Sequence, residues 1–167
     1  MISTRVTIKD DVRQWNALTK QAKLLSKPGG NSVDIGIFRE QGSDLVNYAA
    51  YNEFGSHKKN IPERSWMRST FDEWHDRMFK KIQDNIIPIL LGRFSKKKLL
   101  NQIGSFMTNA MKRKISSSKS WAVPNVDSTI AKKGSNTPLV DSTRMKRSVT
   151  HRISDDSSKE AVRSLGL

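Results

Sequence analysis

Two long apolar stripes at helical spacing, separated by a proline, constrain this chain more than any other feature. From about Ser65, the residues Met67, Thr70/Phe71, Trp74, Met78, Ile82 and Ile86 recur at intervals of three and four and track one face of a helix. Pro88 lacks an N–H and crowds the preceding turn, so it ends or kinks that helix. From about Ser95 to Ile115 a second stripe follows, made of Leu99, Ile103, Phe106/Met107 and Ala110. Its helix carries Lys96-Lys97-Lys98 at one end and Lys112-Arg113-Lys114 at the other.

Shorter elements flank this pair. Residues 10–26 predict a helix, with Val12, Trp15, Leu18, Ala22 and Leu25 on one stripe, Asp10-Asp11 at its start and Lys27-Pro28-Gly29-Gly30 as its stop. Asn31 to Arg39 alternates as a strand with Val33, Ile35 and Ile37 on the buried face. A turn at Glu40–Ser43 leads to a short helix, Leu45 to Glu53, capped by Ser43 or Asp44 and ended by Phe54-Gly55. The stretch from Ser116 to Asp141 is polar, with Trp121, Val123, Ile130 and Leu139 as its few apolar anchors, and reads as an extended arm. Ser148 to Ile153 predicts a last strand, with Val149, His151 and Ile153 on one face, and a polar tail occupies 154–167.

The 167 residues suit one domain, placed at 1–153. The absence of cysteine excludes disulfides, thiolate metal sites and a cysteine nucleophile, and fits assembly in a reducing cytoplasm. No apolar run approaches the roughly 18 residues of a membrane span, and residues 1–11 have no signal-peptide pattern. The net charge of +14 is uneven: residues 1–92 hold 14 basic against 11 acidic side chains, and residues 93–167 hold 16 against 5. A basic C-terminal half implies an acidic partner, either nucleic acid or an acidic protein surface.

Catalytic patterns are missing. His57, His75 and His151 form no metal-ligand pair, although His75 sits three residues from Asp72. Asp72, Glu73, Asp76 and Asp84 cluster, but Arg77, Lys80 and Lys81 lie within a turn and offer ordinary ion pairs. No nucleophile elbow, phosphate-binding loop or dinucleotide turn occurs. The expectation is a non-enzymatic protein without metal or cofactor.

Ordered motifs carry a resemblance. Leu45-Val46-Asn47-Tyr48-Ala49-Ala50-Tyr51-Asn52-Glu53-Phe54-Gly55 is similar to an A-x-x-N/H-E-F-G helix. Ile61-Pro62-Glu63-Arg64-Ser65-Trp66-Met67-Arg68-Ser69-Thr70-Phe71-Asp72 is similar to I-P-x-R-P-F-L-R-x-x-F-D. Residues 125–135 and 138–149 resemble N-x-x-S-T-I-x-x-K-G-S and P-L-I-D-T-G-x-L-x-x-S-I. Together, in this order over roughly residues 33–153, they resemble the neck and tail-completion (head–tail joining) proteins of tailed bacteriophages. Two departures are local: Ser65-Trp66-Met67 replaces Pro-Phe-Leu, and Ser142-Thr143 replaces Thr-Gly, where a β-branched Thr resists a left-handed turn.

The resemblance implies an α+β fold, a small mainly antiparallel sheet packed by several helices, with a long basic arm at 116–147. It implies a structural virion protein, assembled in the host cytoplasm into a ring, a hexamer by tail symmetry, that joins the head's portal and adaptor side to the tail. Its neighbours would be adaptor or stopper, tail-terminator, sheath or tube proteins. Arg64 and Arg68, four apart on one helix face, together with Trp121, Lys132, Lys133, Arg144, Lys146 and Arg147, are the candidate interface residues. Lys96, Lys97, Lys98, Lys112, Arg113 and Lys114 are the candidates for facing genome DNA. The alternative is a non-specific DNA-binding module using the basic half.

Overall fold

The computed structural model describes residues 12–25, 32–140 and 143–154. The acidic start at Asp10-Asp11, the stop at Lys27–Gly30 and the tail beyond Ser154 lie outside them. The described residues form an α+β fold. In chain order come α1 (Val12–Leu25), β1 (Ser32–Gly36), α2 (Ser43–Phe54), α3 (Trp66–Leu90), α4 (Lys96–Ser116), α5 (Asp127–Lys133), α6 (Arg144–Ser148) and β2 (Thr150–Ser154). Short 3-10 turns at Arg39–Gln41, His57–Lys59 and Ser118–Ser120 join them.

The two long helices pack as an antiparallel hairpin. Pro88 sits in the last turn of α3, where its missing N–H breaks the bond ladder close to the helix end, and Arg93 and Phe94 then donate backbone N–H bonds to its carbonyl. Gly92, at φ 70, turns the chain. Ser95 caps α4, its hydroxyl accepting from the Lys98 N–H at 3.1 Å.

The sheet has two antiparallel strands drawn from opposite ends of the described chain, with Val33 opposite Ile153 and Ile35 opposite His151. Both strands are shorter than the alternation predicts: Phe38 and Arg39 turn away, and Ser148 ends α6. The pair lies across α4. Gly104 allows this approach, because a Cβ there would stand 2.3 Å from Cδ2 of His151 and 2.9 Å from Cγ2 of Val33.

Two apolar clusters hold these layers. Leu45 and Ala49 of α2, Trp66 of α3, Met111 and Ile115 of α4, and Leu139, Met145 and Val149 form the larger one. Ile89, Leu99 and Ile103 form the smaller, with Val33, Met78, Ile82 and Phe94 against it. The core face of α3 follows most of the predicted stripe, since Thr70 is buried, Trp74 is half-buried, and Met67, Met78 and Ile82 pack against the two clusters. Trp66 joins that face, whereas Phe71 and Ile86 of the stripe are exposed. The stripe of α1 is not a core face, since Trp15 is 67% exposed.

The segment at 116–147 differs from the expected coreless arm. It carries a 3-10 turn and α5, runs into α6, and buries Ser118, Pro138, Leu139 and Met145. Few apolar residues suffice because each is spent on the shared core, and the buried Ser118 hydroxyl donates to the Pro138 carbonyl. Gly134, at φ 67, ends α5 and donates its N–H to Ile130 O at 2.8 Å.

Candidate functional site

Two constellations stand out: a buried polar lock, and a basic face on the α3–α4 hairpin. The lock begins with Glu53 in the last turn of α2. Its carboxylate is buried and accepts from the N–H groups of Met67 (2.7 Å) and Arg68 (3.0 Å) and from the Ser65 hydroxyl (3.0 Å). Glu53 therefore caps α3 from another helix. Ser65 holds the N-cap position, as predicted, but makes no side-chain cap bond of its own. Gly55 completes the corner at φ 73, where a Cβ would meet Glu63 N at 3.0 Å and Ile61 O at 3.2 Å.

Arg64 forms the second half. It precedes α3, so it shares no helix face with Arg68, and at 8% exposure it is not a surface residue. Its guanidinium donates to Val123 O (2.8 Å), Asn52 Oδ1 (3.2 Å), Pro124 O (3.2 Å) and Asn125 Oδ1 (3.3 Å). Burial lowers its pKa from the usual arginine value. The planar fork matches four neutral acceptors drawn from α2 and the segment before α5. Within the chain, Arg64 is thus an internal tie.

The other candidate interface residues separate. Arg68 is exposed, bonds Glu53 and Glu63, and lies over the Phe54 ring. Its pKa is raised, chiefly by the Glu53 hydrogen bond. Arg144 bonds Asp44 at 2.8 and 3.4 Å and lowers that carboxyl's pKa. Trp121 is half-buried and donates its indole N–H to Lys114 O at 2.9 Å. Lys133 reaches Thr137 O at 3.1 Å. Lys132 on α5 and Arg147 on α6 are exposed, and Lys146 is half-buried. These residues form several local ties, not one patch.

The DNA-facing candidates lie at the two ends of α4, some 21 Å apart at about 1.5 Å per residue. Lys97 and Lys98 line an open groove with Lys81, Asn101, Gln102 and Ser105. At the other end Lys114 bonds Glu73 at 3.0 Å, while Arg113 and Arg77 both lie over the Trp74 ring, at 5.3 and 4.6 Å. Lys81 and the α4 amides were absent from the predicted site. The spacing of positions 98, 101, 102 and 105 places them on one helix face, but which α3 residue faces them depends on the hairpin's packing.

The acid cluster on α3 is a set of surface contacts. Lys80 pairs with Asp84 at 3.7 Å, and His75 Nε2 with Asp76 at 3.1 Å rather than with the Asp72 carboxylate. His75 Nδ1 instead meets Asp72 O at 2.8 Å. Among the described residues no group of His, Asp and Glu could hold a metal ion, and no helix is long and apolar enough to cross a membrane.

Comparison with family models, with characterised proteins and with solved structures finds no significant match to this chain.

Proposed function

We propose that this chain is a structural virion subunit of a tailed-phage neck, forming a ring that joins head to tail and completes the tail. The observation that carries this reading is convergence. The four segments on which the resemblance rests meet at one place: Asn52 and Glu53 from the first, Arg64 to Arg68 from the second, Asn125 from the third, and Leu139, Met145 and Val149 from the fourth. Their shared residues pack into one core and one buried hydrogen-bond network, which suits a structural ring subunit.

A closed ring needs two different patches that meet between neighbours. Two exposed apolar regions fit that demand. One is the outer face of α3 with Phe71, Phe79 and Ile86; the other includes Phe54, Val123 and Val126, on segments that Arg64 ties together. The ring pairs these patches, and the ring's adaptor and tail-side neighbours dock on its basic rim, where Lys132 and Arg147 stand exposed.

Light scattering and negative-stain imaging of the purified chain test the ring, and immunogold labelling of particles tests the location. Closed rings that Phe71→Glu with Phe79→Glu reduces to monomers are expected, with label at the head–tail junction. Particles that carry no label there would sink the proposal.

A further inference from the structure

The geometry points to the groove between α3 and α4 as a binding site for a nucleic-acid phosphodiester backbone, with Lys81, Lys97 and Lys98 as phosphate contacts. The groove is open, encloses about 650 Å³, and is lined by Lys81 of α3 and by Lys97, Lys98, Asn101, Gln102 and Ser105 of α4. No carboxylate lines it, and no carboxylate among the described residues pairs with these three lysines. Three positive charges therefore converge without internal neutralisation. Asn101, Gln102 and Ser105 add donors and acceptors suited to phosphate and sugar oxygens.

Local energetics favour an anion here. Lys96, Lys97 and Lys98 occupy the first turn of α4, where the helix dipole already presents positive potential. Phosphates over this turn relieve a repulsion that the free protein retains.

The face extends beyond the groove. Phe106 lines it and stands edge-on to Trp74 at 5.5 Å, and Trp74 in turn lies beneath Arg77 and Arg113. From Lys98 to Arg113 this strip runs about 22 Å at 1.5 Å per residue. A duplex presents about 13 phosphate charges over that length. A long, shallow strip of cations, amides and aromatic rings fits a continuous backbone better than the discrete, forked carboxylates of an acidic protein. Contacts to phosphate and sugar oxygens carry no sequence information, so binding is expected to be independent of sequence. The site is complete within one chain and does not rest on ring formation.

The test is fluorescence anisotropy with a labelled mixed-sequence DNA duplex, titrated with the full chain from about 50 to 200 mM salt. The triple variant K81Q/K97Q/K98Q is compared with K20Q/K58Q/K119Q, which removes the same charge from exposed lysines outside the groove. Circular dichroism verifies that both fold, and K81R/K97R/K98R serves as the charge-preserving control. The groove variant is expected to lose at least about tenfold in affinity and to flatten the log–log salt slope by about 2 to 3, with the off-groove variant changed much less and the arginine variant retaining binding. Equal losses in the two glutamine variants would mean diffuse attraction by net charge and would overturn the site. So would an absence of duplex binding by the unaltered chain, or competition by polyglutamate as effective as unlabelled DNA at equal charge.

Discussion

Glu53 and Arg64 divide one task between a charge that is capped and a charge that is shared. The Glu53 carboxylate accepts from two backbone N–H groups and a hydroxyl, while the Arg64 guanidinium donates to four neutral oxygens. Removing either leaves buried partners unsatisfied, at about 1–3 kcal/mol for each group. Arg64→Met is therefore expected to cost about 3 kcal/mol or more in urea denaturation. Arg64→Lys should recover little of it, since an ammonium on a flexible stem cannot span all four acceptors. Thr143 makes the opposite prediction. It sits at φ 59, a left-handed conformation that costs a β-branched residue about 1–2 kcal/mol. Thr143→Gly should raise stability by about 0.5–1 kcal/mol after the entropy of glycine is set against that relief, measured as a higher urea midpoint at unchanged slope. An unchanged or lower midpoint would show that Thr143 makes a compensating contact.

At the scale of elements, the sheet owes its position to one glycine. Gly104 lets α4 approach β1 and β2 so closely that any side chain there meets the base of the His151 ring. Gly104→Ala gains about 1 kcal/mol in helix propensity but overpacks a contact that costs typically 1–3 kcal/mol. The net expectation is a loss of about 1 kcal/mol, relieved by the second substitution His151→Ala in a double-mutant cycle. Additive effects would refute the clash. The sheet is also tied outside its ladder, where Arg152 of β2 bonds Glu40 in the turn after β1 and lies over the Phe38 ring. The Arg152 hydrogen bond holds the Glu40 carboxyl at about 2, below its ordinary 4.5. A depressed folded value means the tie stabilises above pH 4.5 and is lost as pH falls through about 2. Glu40→Gln should therefore flatten that part of the stability–pH curve. The pair is exposed, so the difference should be small and should shrink in high salt.

For the whole molecule, the packing is strongly non-local. β1 pairs with β2 across most of the described chain, and the larger core draws on α2, α3, α4, α6 and the segment between α5 and α6. A chain ending at Thr143 loses Met145, Val149 and β2 together. It is expected to lose cooperative thermal unfolding, while retaining helical circular dichroism from the α3–α4 hairpin. Cooperative melting of that fragment near the full-length temperature would mean the C-terminal elements are dispensable. The same non-local packing decides what the surface can do. Among the described residues, the basic side chains from position 93 onward are sorted into internal ties, isolated exposed cations and one groove.

Much of the local architecture was legible in the residues. Periodicity located α1, α3 and α4, alternation located both strands, and Pro88 and Ser95 marked helix ends by backbone chemistry that needs no partner. Net charge and its asymmetry are sums over residues and belong to the sequence alone. What only the tertiary structure decided is which neighbour each side chain meets. Spacing put Arg64 and Arg68 on one face, yet α3 starts at Trp66, and Arg64 turns inward to acceptors about sixty positions away. At the edges of the α3 stripe only packing decided what is covered, burying Thr70 and leaving Phe71 and Ile86 exposed. The segment at 116–147 looked coreless because its few anchors complete a core made mostly by other elements. Local periodicity is a property of one element's backbone geometry; burial, capping across elements and the convergence of Lys81 with Lys97 and Lys98 depend on distances between elements, which only the folded packing specifies.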